Sequence, residues 1–237
     1  MPFIHNSYES VKDLLFPRLC CGCGERLSIG ERLVCAHCQT TLPLEPNRDW
    51  SFNRRKTLWH DHDRLMRMGA LTRYERGNVA SEIIRNLKFH RHYELGDWMG
   101  RTAVQLLRDT DLFDGVEFLV PIPLTARRQR SRGFNQAASI AQGMAAELCI
   151  PVRTDILKRL RDRESQTHFA LAQRLDNADH VFSLLSDSDV AGHHLMIVDD
   201  VMTTGTTMLG ALSVLEALPD TQISTFAWAW AYVPALT

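Results

Sequence analysis

The stretch "LMIVDDVMTTGTT", residues 195–207, joins an apolar run to two adjacent aspartates, four threonines and a glycine. The apolar run through Val198 predicts a buried strand, and Asp199 and Asp200 follow it directly. Two carboxylates side by side at the end of a buried strand are costly unless a cation or a hydrogen-bond donor meets them. The stretch therefore predicts a ligand-binding site.

The next residues, Thr203–Thr207, form a predicted turn into the helix "GTTMLGALSVLEAL", residues 205–218. At the start of a helix the backbone N–H groups lack partners and the dipole favours an anion. The threonine hydroxyls add donors, and Gly205 lets the backbone approach a ligand closely. Because the lysine of a Walker loop is absent, the turn predicts a phosphate cradle of another kind.

The paired carboxylates need a different part of the same ligand. Asp199 and Asp200 suit vicinal hydroxyls, which donate hydrogen bonds to carboxylates, and a divalent cation. A ligand with a phosphate at one end and a cis-diol beside it is a ribose 5-phosphate. The alternative is a threonine-capped helix preceded by a solvated acidic pair.

Strand and helix patterns alternate from about residue 70 onwards. Apolar residues at helical spacing predict helices in "NVASEIIRNLKF" (78–89) and "NQAASIAQGMAAEL" (135–148). Apolar, β-branched runs predict strands in "VEFLVPIPL" (116–124), "HHLMIVDDV" (193–201) and "QISTFAWAWAYV" (222–233). This alternation indicates an α/β fold, a parallel sheet flanked by helices. Ligands of such sheets bind outside the carboxyl ends of the strands, where residues 199–207 lie.

Five of the six cysteines fall between residues 20 and 38. Four of these five form two C-x2-C pairs, Cys20/Cys23 and Cys35/Cys38. Four thiolates at this spacing predict a small ribbon around a structural, tetrahedral zinc ion. Cys21 is an alternative ligand to Cys20, although the spacing favours Cys20, and a loop of reduced cysteines is the alternative to a metal site. Cys149, on the apolar side of a predicted helix, is expected to be a small core residue.

The composition contains 27 Lys and Arg against 28 Asp and Glu, which does not indicate a globally basic nucleic-acid binder. The N-terminus lacks a signal-peptide pattern, and no apolar run reaches the ~18 residues of a membrane span. We therefore expect a cytoplasmic protein without membrane insertion. The expected organisation is an N-terminal segment with the zinc ribbon (1–44), a linker (45–69) and an α/β domain (70–237).

The stretch "IVDDVMTTGTT" resembles the phosphoribosyl pyrophosphate (PRPP) motif of type I phosphoribosyltransferases. The resemblance implies that Asp199 and Asp200 hold the ribose 2- and 3-hydroxyls, with Mg²⁺ bridging to the pyrophosphate. It assigns the 5-phosphate to the loop residues Thr203, Thr204, Gly205, Thr206 and Thr207.

A second stretch, "LVPIPLTARRQRSRGFNQA" (119–137), resembles the segment of these folds in which a strand leads into the pyrophosphate-binding loop. The candidate pyrophosphate ligands there are Arg127, Arg128, Arg130 and Arg132. Guanidinium groups pair well with phosphate oxygens. Lys88, near the end of the first predicted helix, is a further candidate for this pocket.

The pattern of the whole chain from about residue 14 resembles the ComF/GntX family of competence-associated, phosphoribosyltransferase-like proteins. The similar segments include the cysteine ribbon, "YERGNVASEIIRNLKF" (74–89) and "LKRLRDRESQTHFALAQRLDNADHVF" (157–182). The last segment would correspond to the variable region over the active site, where Arg159 is one of several polar residues that could reach the ligand.

The resemblance implies PRPP binding, Mg-dependent phosphoribosyl transfer to an unidentified acceptor, and a role in the uptake or use of external DNA. The alternative is a non-catalytic accessory protein in DNA processing. In that case the zinc ribbon and nearby basic residues would bind single-stranded DNA or a protein partner of DNA uptake. These basic residues are Arg48, Arg54, Arg55 and Lys56.

Overall fold

The main sheet of the protein has four parallel strands. The computed structural model describes residues 17–45, 59, 61–89, 92–160, 181–185 and 189–231. Its strands are β1 (Leu65–Arg73), β2 (Phe118–Pro121), β3 (Leu157–Arg159), β4 (Phe182–Leu184), β5 (His194–Met202) and β6 (Gln222–Trp230). The order in the main sheet is β1-β6-β5-β2, with every neighbouring pair parallel, whereas β3 and β4 form a separate antiparallel pair. The predicted parallel α/β sheet is therefore confirmed.

Helices cover both faces of this sheet. They are α1 (Ala36–Thr40), α2 (Val79–Phe89), α3 (Tyr93–Leu107), α4 (Ala126–Arg132), α5 (Gln136–Leu148) and α6 (Thr206–Leu215). The predicted apolar face of α2 is confirmed, since Ile83, Ile84 and Leu87 are buried. By contrast, α4 has no buried residue, which explains why an apolar pattern did not predict it.

The two faces of the sheet carry two apolar cores. Met196 and Val198 of β5 point into the core that contains α2, α3 and α5. Their neighbours Leu195 and Ile197 point into the core beneath α6. This alternation is the period of two expected for a strand that is covered on both sides.

Helices α3 and α5 pack at unusually close range because glycines line their contact. A Cβ on Gly96 would overlap the side chain of Ser139, and one on Gly100 would overlap the carbonyl oxygen of Ile140. From the other side, a Cβ on Gly143 would overlap the backbone of α3. The pair forms a rigid layer behind β2 and β5, whose carboxyl ends carry the candidate site.

Two element boundaries differ from those that the sequence indicated. Strand β5 runs to Met202, close to the end of the predicted strand 193–201, so the two aspartates lie within the strand and do not follow an end at Val198. Strand β1 begins at Leu65, inside the stretch predicted as a linker. The chain that leads out of the ribbon also pairs with β1, since the N–H of Glu45 donates to Leu71 O at 2.8 Å.

Candidate functional site

A cleft of about 170 Å³ lies at the carboxyl ends of β2 and β5. These strands are neighbours in the sheet, with Pro121 opposite Val198, and the N–H of Ile122 continues the ladder to Val198 O at 2.9 Å. Six of the predicted site residues line the cleft together: Lys88, Arg128, Arg132, Asp199, Asp200 and Thr207. The geometry thus brings the two carboxylates and three cations into one pocket.

One oxygen of each carboxylate, the Oδ1 of Asp199 and of Asp200, accepts a backbone hydrogen bond. Asp199 Oδ1 accepts from the N–H of Asp200 at 2.8 Å, and Asp200 Oδ1 accepts from the N–H of Val201 at 2.9 Å. Desolvation and the neighbouring Asp200 carboxylate raise the pKa of Asp199 to about 8. The two adjacent carboxyl groups therefore repel each other when both are ionised, and a bound cation or hydroxyl donors would relieve this repulsion.

Lys88 at the end of α2 faces this acidic pair. Its Nζ lies 2.7 Å from Asp200 Oδ2, close enough for an ion pair. Asp200 is 9% exposed, and apart from this ammonium no described residue donates to its Oδ2. A buried carboxylate oxygen that meets a single ammonium retains acceptor capacity for ribose hydroxyls or for a hard, oxygen-preferring cation such as Mg²⁺.

The four arginines after β2 separate into two pairs because they lie on a helix. Arg128 and Arg132, four residues apart on α4, line the cleft, and the Nη1 of Arg132 donates to Gln136 Oε1 at 2.9 Å. Arg127 and Arg130 are exposed and do not line the cleft. The structure thus brings two of the four predicted arginines to the site.

The threonine loop leads from β5 into α6. Gly205 has a φ of +77° and stands at the N-cap of α6, where no side chain caps the helix. Thr207 lines the cleft, whereas Thr203 and Thr204 are exposed, and the hydroxyls of Thr204 and Thr206 lie 2.7 Å apart. The first turn of α6 therefore presents hydroxyl and backbone donors beside the carboxylate pair.

Two further polar residues of the cleft were not predicted, Asn135 and Gln136. Asn135 caps α5 through its Oδ1, which accepts from the N–H of Ala137 at 3.0 Å, while its Nδ2 donates to Ile122 O at 3.0 Å. The Asn-Gln pair that starts a helix directly after the arginine run was the signal that could have found them. Arg159 of β3 also lines the cleft, as expected for part of segment 157–182.

The four predicted zinc ligands form a second cluster, at the start of the chain. The Sγ atoms of Cys20, Cys23, Cys35 and Cys38 all lie within 4.8 Å of one another. Those of Cys23 and Cys35 are 3.8 Å apart, which is about the S···S distance in a tetrahedron with Zn–S bonds of about 2.3 Å. Four thiols at this spacing fit a structural zinc ion.

The surroundings of the sulfurs distinguish Cys20 from Cys21. Although burial acts in the opposite direction, hydrogen bonds from the backbone of Cys35, Cys23 and Gly22 lower the pKa of Cys20 to about 7. Burial and the Cys20 charge raise the pKa of Cys21 to about 11, and its sulfur lies outside the cluster. The geometry therefore favours Cys20, as the spacing indicated.

The prediction that Cys149 is a core residue was wrong. Helix α5 ends at Leu148, and Cys149 is its exposed C-cap with a φ of +59°. The left-handed turn that stops the helix carries the side chain away from the apolar face.

The chain resembles several known proteins over these elements. The sequence model of the phosphoribosyl transferase domain matches residues 134–224. Competence protein F of Haemophilus influenzae is 28% identical over 89% of this chain and 90% of its own length. DNA utilization protein YhgH of Salmonella typhimurium is 32% identical over 54% of this chain and 57% of its own length. Competence protein ComFC of Bacillus subtilis is 33% identical over 46% of this chain and 42% of its own length. The chain is therefore similar to these competence and DNA utilization proteins, and part of it matches the phosphoribosyl transferase domain.

Similar solved structures include an amidotransferase and a phosphoribosyltransferase. A glutamine PRPP amidotransferase from Bacillus subtilis matches 64% of this chain and 27% of its own, with 17% identity and a TM-score of 0.36. An adenine phosphoribosyltransferase from Leishmania tarentolae matches 64% of this chain and 74% of its own, with 13% identity and a TM-score of 0.37. The fold class itself follows from the strand order and from the matching domain family.

Some predictions concern residues outside the described part of the chain. They are the basic residues Arg48, Arg54, Arg55 and Lys56 and the part of segment 157–182 between residues 161 and 180. Within the described ranges, every helix is too short or too polar to cross a membrane.

Proposed function

We propose that this chain binds PRPP together with Mg²⁺ in the cleft between β2 and β5 and transfers its phosphoribosyl group to an acceptor. The observation that carries this proposal is the adjacent carboxylate pair of Asp199 and Asp200, which lines one cleft together with the cations Lys88, Arg128 and Arg132. A site with both charges in one pocket suits a ligand that offers both hydroxyls and phosphates.

Each part of PRPP has a partner in the proposed complex. Asp199 and Asp200 accept hydrogen bonds from the ribose 2- and 3-hydroxyls. The first turn of α6 and the hydroxyls of residues 203–207 donate to the 5-phosphate. Arg128 and Arg132 pair with the pyrophosphate, and Lys88 moves from Asp200 towards it once hydroxyls and the cation satisfy that carboxylate.

In the proposed reaction the bond between ribose C1 and the pyrophosphate oxygen breaks, and the electron pair leaves with pyrophosphate. The arginines stabilise the charge that develops on this leaving group. The carboxylates hold the ribose so that C1 faces the acceptor, which attacks as the bond opens. Bound Mg²⁺, held beside Asp199 and Asp200, supplies further neutralisation of the phosphates.

The cysteine cluster has a structural part in this proposal. Cys20, Cys23, Cys35 and Cys38 bind one Zn²⁺ with no position left open for a substrate. The N-terminal segment with the ribbon (1–44) and the phosphoribosyltransferase-like domain, whose first strand β1 begins at Leu65, then form two units of one protein. Zinc binding holds the ribbon in the shape that packs on the domain.

The names of the relatives support a role in competence. We place the proposed activity in the cytoplasm, in the uptake or use of external DNA. A second candidate function is a non-catalytic accessory protein whose PRPP site is a sensor, with single-stranded DNA or a DNA-uptake protein as its partner. Arg127 and Arg130 favour it, because both are exposed outside the cleft and are placed to meet a polyanion.

Calorimetry with PRPP and Mg²⁺ tests the proposed site. The wild-type protein is expected to bind, and Asp200→Asn to bind about 10- to 100-fold more weakly, because one charged partner of the ribose is lost. The exposed Asp109→Asn is the matched control and keeps the wild-type affinity. Absence of binding to the wild-type protein would show that the site assignment is wrong.

Pyrophosphate release separates the two candidate functions. A screen of nucleobases and amines should reveal an acceptor that releases pyrophosphate from PRPP, and the release should be lost in Asp200→Asn. If PRPP binds without turnover and single-stranded DNA binds with a steep salt dependence, the accessory function replaces the transferase.

A further inference from the structure

Two tryptophans hold the candidate phosphate loop from opposite ends. The Nε1 of Trp230, the last residue of β6, donates to the carbonyl oxygen of Thr203 at 3.4 Å. Trp59 packs directly on Gly205, so that a Cβ on this glycine would overlap the indole ring at Cζ2. Neither tryptophan is among the residues that line the cleft.

The packing of Trp59 leaves no room for a side chain at Gly205. Gly205 is buried and has a φ of +77°, a conformation that L side chains rarely adopt. Thus both the backbone conformation and the indole ring above it require a residue without a Cβ. The positive φ turns the chain from β5 into α6, whose first N–H groups have no partner within the helix and whose Thr207 lines the cleft.

The segment that carries Trp59 is anchored along α6 and the turn that follows it. Trp59 is 8% exposed and belongs to the apolar core beneath α6. The Nδ1 of His62 lies 2.7 Å from Glu216 Oε2, and the guanidinium of Arg64 donates to Leu218 O. These contacts hold the indole in place over the loop.

We propose that Trp59 and Trp230 are positioning residues that hold residues 203–207 in the phosphate-binding conformation. This inference rests on the proposed PRPP site. A loop that is already ordered loses less conformational entropy when it binds a phosphate, so pre-organisation appears as affinity. Trp59 acts from outside residues 134–224, the range that matches the phosphoribosyl transferase domain.

Ribose 5-phosphate and pyrophosphate, each with Mg²⁺, are separate probes of the two ends of the site. Trp59→Ala is expected to weaken ribose 5-phosphate about 10-fold or more, because the loop is no longer ordered. Pyrophosphate meets Arg128 and Arg132 on the far side, so its affinity should change less than about 3-fold. A merely structural defect would weaken both probes together.

Conservative variants complete this test. Trp59→Phe keeps an aromatic ring over Gly205 and should restore most of the ribose 5-phosphate affinity. Trp230→Phe keeps an aromatic ring but removes the hydrogen bond to Thr203, and it should cost about 3- to 10-fold. In the wild-type background, Gly205→Ala should abolish ribose 5-phosphate binding. In the Trp59→Ala background the same substitution should reduce the affinity by a smaller factor, since the indole that the new Cβ would overlap is absent.

Tryptophan fluorescence gives an independent signature. Ribose 5-phosphate should change the emission of the wild-type protein, and Trp59→Phe should remove most of that change. Trp98→Phe, on α3 and in the opposite core, is the matched control and should keep it.

The outcomes separate this inference from the proposed function. If the wild-type protein binds neither PRPP nor ribose 5-phosphate, the proposed function is wrong. If it binds both and Trp59→Ala binds ribose 5-phosphate as tightly as the wild type, the positioning role is wrong. If Trp59→Ala does not fold, Trp59→Leu fills the apolar space without covering the loop, and the same comparison of the two probes decides.

Discussion

The side-chain amide of Asn86 donates a hydrogen bond of 2.9 Å to the carbonyl oxygen of Cys21. This contact joins the cysteine ribbon to α2, the helix whose last turn carries Lys88. A Cβ on Gly22 would lie only 2.8 Å from Cys38 Sγ and 3.2 Å from Val79, so the ribbon also packs tightly on the start of this helix. The metal cluster and the cleft are thus connected through one helix.

Loss of the zinc ion should destabilise the whole protein. Cys38→Ser is expected to contain almost no zinc and to unfold several °C below the wild type, because the ribbon no longer holds its face against α2. Cys149→Ser, at the exposed end of α5, should keep about one zinc per chain and the wild-type Tm. Metal analysis by mass spectrometry and thermal unfolding measure both quantities. A full zinc content in Cys38→Ser would contradict the four-cysteine site.

The division of the arginines on α4 predicts unequal effects on pyrophosphate binding. Arg128→Ala should weaken Mg-pyrophosphate about 10- to 100-fold, because a charged hydrogen-bond donor of the cleft is lost. Arg127→Ala removes the same charge from the neighbouring, exposed position and should cost less than about 3-fold. Titration calorimetry at fixed salt compares the two variants. Equal losses would show that only the overall charge of α4 matters.

The raised pKa of Asp199 predicts a pH-dependent stability of the ligand-free protein. Its folded pKa of about 8 lies above the unfolded value, so the folded state binds a proton more strongly. The contribution of Asp199 to the free energy of unfolding is therefore most favourable at low pH and decreases as the pH rises from about 4 to about 8. Asp199→Asn keeps an Oδ1 acceptor for the N–H of Asp200 and has no charge to bury.

Thermal unfolding between pH 5 and pH 9 measures this effect. The Tm of Asp199→Asn should exceed that of the wild type by a margin that grows with pH, whereas Asp109→Asn should show no such trend. A constant margin would mean that Asp199 titrates normally. Binding of Mg-PRPP near pH 7 should also release a proton, detectable as a dependence of the calorimetric heat on the buffer.

The glycines between α3 and α5 predict a cost for a single methyl group. Gly100→Ala places a Cβ against the carbonyl oxygen of Ile140, which belongs to the backbone and cannot rotate away. The free-energy cost of this overlap should be larger than the gain from the higher helix propensity of alanine. The net effect should destabilise the fold by about 1–3 kcal/mol and lower the Tm by roughly 2–12 °C. Gln105→Ala on the exposed side of α3 is the control. A more stable Gly100→Ala would show that the helices can move apart.

Local patterns predicted the elements that meet the core and the clusters that lie close in the sequence. The apolar spacing of α2 and the two C-x2-C pairs are signals of this kind, and the structure contains both. Helix α4 buries no residue, so its sequence has charged residues but no apolar residues at helical spacing. For this reason the sequence did not reveal that Arg128 and Arg132 lie on the same side of a helix. The contact of Trp59 with Gly205 joins residues far apart in the chain, and no local pattern encodes it.

Leu27 and Val34 of the ribbon lie in the same core as Ile83 and Leu87 of α2. A ribbon transplanted onto another protein would need a matching apolar helix to receive it, since either surface alone would face water. A protein from which the ribbon has been removed would expose the apolar side of α2 that the ribbon covers, and it would tend to aggregate. The ribbon and this helix are therefore expected to vary together among related proteins, as one exchangeable block.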